Sequence, residues 1–349
     1  MAMARTIGYA VVGLGNIARQ AVLPAFANCK SSKLVAVVSR DAKKAARLRA
    51  KSKAAISYRT RNYEDCLANP EISAVYVTTP PGQHEEFAVR AAEAGKHVLC
   101  EKPLAATVSQ SASIVEACRR NGVLLMTAYR KYFEPSTLYL KSLVSSGALG
   151  RIDMIHTSFS EMFNPRIAPD WLLDASLAGG GPMMDLGVYC VNTSRWLAGE
   201  DPVEAVAHAW RHDTRRFNSV EEGVAFRLNF PSSLVVLGSS TYSAAISSFI
   251  FLQGSKGWVS LSPAFTYEDE RRVIGKIAGR VVDRLFKPLD EFALEIDAFS
   301  TAILKKNTVA PDGIQGHRDM IILQAIYASA RTLQPVAIKY PAKELVHER

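Results

Sequence analysis

The run Gly13-Leu14-Gly15-Asn16-Ile17-Ala18 follows a β-branched stretch ending at Val12 and opens an amphipathic one, and this placement restricts the fold more than any other feature. Two glycines permit a tight turn and a close backbone approach, and the helix that follows offers its free N–H groups to a pyrophosphate. A lone G-x-G-x-x-A says little. Here the strand before it, the helix after it and a second strand are all present, which is the context a dinucleotide site requires. Short β-branched runs near 6–12, 33–39, 54–57, 73–78, 96–100 and 123–127 alternate with helical patterns near 16–27, 42–52, 62–67, 83–94 and 107–120. The alternation predicts parallel strands with crossover helices, a doubly wound α/β sheet. Asn121-Gly122, which tolerate left-handed geometry, end the last of these helices.

Beyond Tyr129 the runs lengthen, near 151–162, 203–212, 220–230, 233–242, 247–254 and 257–261, with short Gly, Pro and Ser breaks. They predict a large, mostly antiparallel open sheet, with helical patterns near 134–146, 185–198, 290–306 and 316–333 covering one face. The chain therefore divides into residues 1–128, α/β, and 129–349, α+β. The segment 263–289 has no clear period and is left unplaced.

Composition narrows the function classes. Apolar residues make up 48% and charged residues 21% of 349, which is globular rather than disordered. The net charge of +9 admits anionic partners, but the densest basic run, Lys43 to Arg61, lacks interleaved aromatics and reads as a solvated face, so nucleic acid is not expected. No run approaches the length of a membrane span and Met1–Arg5 leave no room for a signal peptide, so a cytoplasmic protein is expected. Five scattered cysteines suggest neither disulfides nor zinc. His208 and His212 share one face of a strand rather than a helix, and no metal is expected.

The second strand ends in Ser39-Arg40 rather than in an acid. A hydroxyl and a guanidinium suit a 2′-phosphate, so NADP is favoured over NAD, with Lys43 and Lys44 adding to the field. Asp41, the acid nearby, fits an N-cap. Thr79-Pro80-Pro81 at the fourth strand tip give an extended, donor-free backbone that can lie against a ribose or nicotinamide ring. His84 is either a supporting contact to the cofactor or the first turn of a helix. Cys100-Glu101-Lys102-Pro103 closes the fifth strand, with a lysine poised where ligands bind in such sheets.

The stretches GLGNIA, TPPGQH, GKHVLCEKP and GGGPMMDLGVYCVN together resemble the glucose–fructose oxidoreductase, inositol dehydrogenase and rhizopine-catabolism family, in particular its glucose–fructose oxidoreductase branch. The resemblance implies a Rossmann domain, a C-terminal sheet that makes a homodimer or homotetramer face, and a pyranose-like substrate. It makes Glu101-Lys102-Pro103 the catalytic strand tip. Where many members carry histidine after D-x-G, Asp185-Leu186-Gly187-Val188-Tyr189 places tyrosine.

Oxidising a hydroxyl by hydride transfer requires a base for its proton. Tyrosine, with an ordinary pKa of about 10, needs a cation to hold its phenolate. The expected catalytic set is Tyr189 as base, Lys102 as cation, and Asp185, bonding a sugar hydroxyl or capping a helix. Gly13, Gly15, Asn16, Ile17, Ser39, Arg40, Lys44, Thr79, Pro80, Pro81, His84, Glu101, Lys102 and Arg130 are expected to hold NADP. Lys102, Trp171, Asp185, Tyr189 and Tyr242 are expected to meet the sugar, although Trp171 and Tyr242 also suit core packing. Leu172 stands where relatives carry arginine.

The expected activity is NADP-dependent oxidation of an aldose at C1, with a second sugar reduced on the same cofactor if NADP stays tightly bound. Enzymes of that branch retain it under an N-terminal arm, and Met1–Arg5 are all that precede the first strand. Rivals are a trans-dihydrodiol or D-xylose dehydrogenase, a nicotinamide-dependent glycosidase, and a non-catalytic NADP sensor.

Overall fold

All six residues of Ile7–Val12 are buried, so both faces of this strand need cover, which crossover helices provide. In the computed structural model, which describes residues 6–267 and 269–341, β1 (Ile7–Val12), β2 (Ser32–Ser39), β3 (Ile56–Arg59), β4 (Ala74–Val77), β5 (His97–Glu101) and β6 (Leu125–Ala128) form a parallel sheet. The intervening helices are α1 (Leu23–Ala25, entered through a π turn at Ala18–Val22), α2 (Ala42–Ser52), α3 (Tyr63–Leu67), α4 (His84–Glu93) and α5 (Val108–Arg120). Thr107 caps α5 by accepting from Gln110 N at 3.2 Å, and Gly122 leaves it at φ +62°. Val11, Val12, Val37, Val38, Val75 and Val77 are fully buried, each contributing about 1.5–3 kcal/mol by leaving water. The order β3-β2-β1-β4-β5-β6 reverses direction between β1 and β4, and ligands of such sheets bind beyond the carboxyl ends of the strands at that switch.

The chain continues through α6 (Pro135–Ser145), β7 (Ile152–Ser160), α7 (Ala175–Ala178), α8 (Val188–Ala198), β8 (Glu204–Trp210), β9 (Gly223–Asn229), β10 (Val235–Thr241), β11 (Ser247–Gly254), β12 (Gly257–Ser262), β13 (Arg271–Ile277), β14 (Arg280–Phe286), α9 (Glu291–Lys305), α10 (Gly313–Thr332) and β15 (Val336–Ala337). Nine strands form a second sheet in the order β14-β13-β12-β11-β7-β10-β9-β8-β15. Among the described residues only β7 and β10 pair in parallel there; the other pairs are antiparallel.

Two expectations need correction. The unplaced segment 263–289 holds the β13–β14 hairpin, joined by Ala278 and Gly279 at φ +47° and +82°, the left-handed pair of a tight hairpin turn. Its period was hidden because Arg271 occupies a core position of β13, wholly buried with its guanidinium on the Thr266 carbonyl and 3.9 Å from Glu134, while Val281 and Leu285 of β14 face outward. The helix over 290–306 also lies elsewhere than expected. The compact units are the chain to Tyr132 with Asp290–His317, and Phe133–Leu289 with the chain from Arg318 on. Helix α9 serves the parallel sheet, not the second one. Its Ser300 hydroxyl meets Tyr9 Oη at 2.8 Å and Ser32 Oγ at 2.7 Å, and Asp297 accepts from Lys30 N, Ser31 N and Ser32 Oγ at 2.5–2.9 Å.

Candidate active site

The glycine turn is built from the backbone outward. Gly13 has φ +91°, and a Cβ there would stand 2.7 Å from Thr79 N and 2.8 Å from the Thr78 carbonyl. Thr78 Oγ1 closes this approach, lying 3.0 Å from Val12 O and 2.5 Å from Gly13 O, with its one proton for either carbonyl. Gly15 differs, since a Cβ there would meet nothing within 4 Å. The turn therefore presents an open cradle lined by backbone. Thr79 Oγ1, beside it, is buried with no hydrogen-bond partner among the described residues, a deficit of about 1–3 kcal/mol that a ligand atom would remove. Both observations fit a pyrophosphate-bearing cofactor.

These facts separate two glycines that look alike in sequence. Gly13→Ala is expected to cost about 1–3 kcal/mol in backbone strain alone, seen as a lower thermal midpoint. Gly15→Ala is expected to leave the thermal midpoint unchanged while weakening NADP about tenfold or more in titration calorimetry, because its methyl enters the cradle.

At the β2 tip, Ser39 is buried and its Oγ accepts from Asp41 N at 3.2 Å, while Asp41 caps α2 by accepting from Lys44 N at 3.0 Å. Arg40 is exposed. Lys44 is half-buried, and burial together with the nearby Arg19 charge holds its ammonium below the usual lysine range. Arg19 folds back on the turn, Nε donating to Gly15 O at 3.2 Å and Nη2 to Asn16 Oδ1. Sequence reasoning missed Arg19; its spacing of one helical turn from Gly15 was the available signal.

At the β4 and β5 tips, Pro80 is half-buried and Pro81 is buried at the start of a short 3-10 turn. His84 takes the helix-start alternative. It opens α4, fully buried, with Nε2 2.8 Å from Thr79 O and Nδ1 3.2 Å from Leu104 O. Burial outweighs the pull of these carbonyls and pushes its pKa down to about 4, so the ring is neutral at pH 7 and its single N–H donates to one of the two carbonyls. Glu101 is buried, accepting from Tyr76 Oη at 2.9 Å and from Lys102 N at 3.3 Å. Burial raises its carboxyl above the usual range, against the lowering pull of Lys102, Tyr76 and Arg130. Lys102 is half-buried and the Lys102–Pro103 peptide is cis. Arg130, expected at the cofactor, is buried instead, its guanidinium on Glu291 and 5.6 Å from the centre of the Phe292 ring, while Lys131 Nζ meets the same carboxylate at 3.1 Å. An arginine at a strand tip satisfies a buried acid as well as a ligand would.

The second unit holds the remaining residues. Asp185 lies in a π turn, Met183–Gly187, that runs into α8, where Tyr189 occupies the first turn. Glu221 sets this entry by accepting from Gly181 N at 2.9 Å, Met183 N at 3.0 Å and Tyr327 Oη at 2.9 Å. A Cβ on Gly180 would lie 2.0 Å from Tyr327 Oη, and one on Gly181 2.2 Å from Glu221 O, which is why the glycine run precedes the helix. The Tyr189 ring stacks on Phe265 at 5.8 Å and meets Phe159 edge-on at 6.1 Å. Tyr242, expected as a pocket wall, packs between Phe163 and Phe217 with its hydroxyl donating to Asp185 Oδ2 at 2.8 Å. It orients the acid rather than presenting a face. Trp171 is half-buried in the turn Asp170–Leu173. No group of three metal-ligating side chains stands together, and no helix is long and apolar enough to cross a membrane, among the described residues.

Residues 7–129 match a family model described as an oxidoreductase family with an NAD-binding Rossmann fold, and residues 137–260 match the GFO/IDH/MocA C-terminal domain. The chain is 31% identical over 339 residues to a D-xylose 1-dehydrogenase [NADP(+)] of Haloarcula marismortui, covering 95% of this chain and 93% of that one. A second NADP(+) D-xylose 1-dehydrogenase, from Haloferax volcanii, is 31% identical over 327 residues, covering 93% and 97%. Among solved structures, an aldose-aldose oxidoreductase from Caulobacter crescentus superposes with a TM-score of 0.91 at 34% identity, covering 95% of this chain and all of that one. With both domain models matched in order and these relatives aligned along nearly its whole length, the chain belongs to the GFO/IDH/MocA oxidoreductase family.

Proposed function

We propose that this protein is an NADP-dependent oxidoreductase that oxidises an aldopyranose at its C1 hydroxyl to the lactone. The observation that carries the reading is the β2 tip. Ser39 closes β2 and Arg40 follows it where an NAD enzyme would place an acid, and Lys44 on α2 stands near the Arg19 charge, in a chain 31% identical to two NADP(+) xylose 1-dehydrogenases.

NADP would be held by the open turn at Gly13-Leu14-Gly15-Asn16-Ile17, by Thr79, Pro80 and Pro81, and by the β2-tip group. When bound, it supplies the nicotinamide that accepts the C1 hydride. Tyr189 removes the hydroxyl proton, so the sugar loses one proton and one hydride and the charge balances. Lys102 supplies the positive charge that makes a phenol competent for this, and Glu101 fixes that lysine's backbone. Asp185, oriented by Tyr242, accepts from a sugar hydroxyl. Half-buried Trp171 offers an apolar face to a sugar ring.

Steady-state turnover with D-xylose and D-glucose, each with NADP and with NAD, tests the assignment. Aldose-dependent NADPH formation supports it, and no turnover with any aldose would refute it. A second reading, the coupled reduction of another sugar on the same cofactor, draws on the similarity to an aldose-aldose oxidoreductase. It predicts that purified protein carries NADP and forms alditol from one aldose as another is oxidised.

The second sheet supports a homodimer. Its open face carries exposed Trp258, Ile274, Val281 and Leu285 beside half-buried Phe249 and Phe251, with Phe251 and Trp258 stacked at 5.7 Å. These exposed apolar side chains, interrupted by Lys276 and the Arg272–Asp283 ion pair, suit a partner surface. Val281→Asp with Ile274→Asp is expected to halve the mass measured by light scattering; an unchanged mass would place the interface elsewhere.

A further inference from the structure

Three ionisable side chains meet where β4, β5 and α9 converge in the first unit, and the proposed chemistry uses only one of them. Tyr76 is wholly buried in β4, Glu101 closes β5, and Glu295 stands one turn beyond Glu291 on α9. Tyr76 Oη lies 2.9 Å from Glu101 Oε1 and 3.3 Å from Glu295 Oε2. One phenol carries one proton, so it cannot donate to both carboxyls at once. Glu295 is 1% exposed, and its Oε1 has no hydrogen-bond partner among the described residues. A bare anion there would lack both water and a counter-charge of its own.

The surrounding charges decide which carboxyl is neutral. Glu101 faces Lys102, whose backbone N–H it accepts, with Arg130 nearby on the turn after β6 and the Cys100 thiol beside it on β5. Glu295 faces the Glu101 and Glu291 carboxylates. The cation that acts on it, Arg130, is engaged by Glu291. Burial and the Glu101 charge hold Glu295 well above the usual carboxylate range. Two carboxyls sharing one buried site keep one proton between them, and it belongs on the member with fewer cations.

We propose that Glu295 is a neutral carboxylic acid that donates its proton to the Tyr76 phenol oxygen, leaving the phenol proton for Glu101, and that it thereby acts as a positioning residue keeping Glu101 anionic beside Lys102. This extends the oxidoreductase reading, on which its kinetic consequence rests. No proton leaves the chain in this arrangement: Glu295 donates to Tyr76, Tyr76 donates to Glu101, and Glu101 also receives the Lys102 N–H.

Infrared difference spectroscopy on the full-length protein at neutral pH tests the proton directly. Subtracting the Glu295→Gln spectrum is expected to reveal the carbonyl stretch of one protonated carboxylic acid; its absence in a folded variant would overturn the proposal. The kinetic test follows the acid limb of kcat/KM for aldose oxidation. Tyr76→Phe removes a bond to the Glu101 carboxylate and is expected to move that limb upward by about one pH unit. Glu295→Leu moves it in the same direction. Glu295→Gln, whose amide still donates to the phenol, leaves it in place. A limb displaced as far by glutamine as by leucine, or by neither leucine nor phenylalanine, would contradict the relay. A parent protein inert toward every aldose would sink the oxidoreductase reading while the infrared band still decides where the proton sits.

Discussion

Tyr189→Phe is expected to bind NADP as tightly as the parent and to lose about 10²–10⁴-fold in kcat, the usual worth of a positioned acid or base. Phenylalanine keeps the ring that stacks on Phe265 and meets Phe159, so α8 retains that packing. Only the hydroxyl is lost. Stopped-flow measurement of NADPH formation separates this loss in the chemical step from any change in binding. A variant that turned over at the parent rate would remove Tyr189 from the reaction and leave the proton to another group.

Arg40→Asp is expected to weaken NADP by about 100-fold while changing NAD little. Loss of a charge-assisted bond to a phosphate costs about 1.5–3 kcal/mol, and the new carboxylate repels the 2′-phosphate in addition. Arg40 is exposed and makes no cap for α2, which Asp41 provides, so the fold has no stake in the change. With NAD the aspartate faces a ribose hydroxyl, which it can accept from. Titration of both nucleotides checks the difference, and equal losses would remove the 2′-phosphate from the β2 tip.

The features legible in the sequence are those set by local backbone demands. Gly13 is forced by the approach of Thr79, and the Asp41 cap follows from an acid just before a helical run. The parallel sheet was legible for the same reason, since uninterrupted apolar runs between amphipathic ones admit few other arrangements. Side chains whose role depends on distant partners were misread. Arg130 follows a strand tip, where ligands usually bind, but Glu291 engages it; His84 took the helix-start alternative, buried against two backbone carbonyls. Tyr242 turned out to hold Asp185.

Distance along the chain explains the remaining misses. Tyr76 and Glu295 are 219 positions apart, and no spacing rule connects a residue inside a strand to one on a helix from the far end of the sequence. Helix α9 carries an ordinary amphipathic pattern that does not say which sheet it covers; the polar contacts from Asp297 and Ser300 to β1 and β2 decide that. The β13–β14 hairpin escaped notice because Arg271 breaks the alternation at a core position.

Hydride leaving C1 of an aldose for NADP is the step on which every functional assignment rests, and isotope transfer follows it directly. The protein would be incubated with NADP and D-xylose or D-glucose carrying deuterium at C1, and the recovered nucleotide analysed by mass spectrometry and NMR. One deuterium on the reduced nicotinamide, with lactone or aldonate as the sugar product, is the expected result. Unlabelled NADPH formed from the labelled sugar would show that another carbon is oxidised, and no reduced nucleotide at all would show that aldoses are not its substrates.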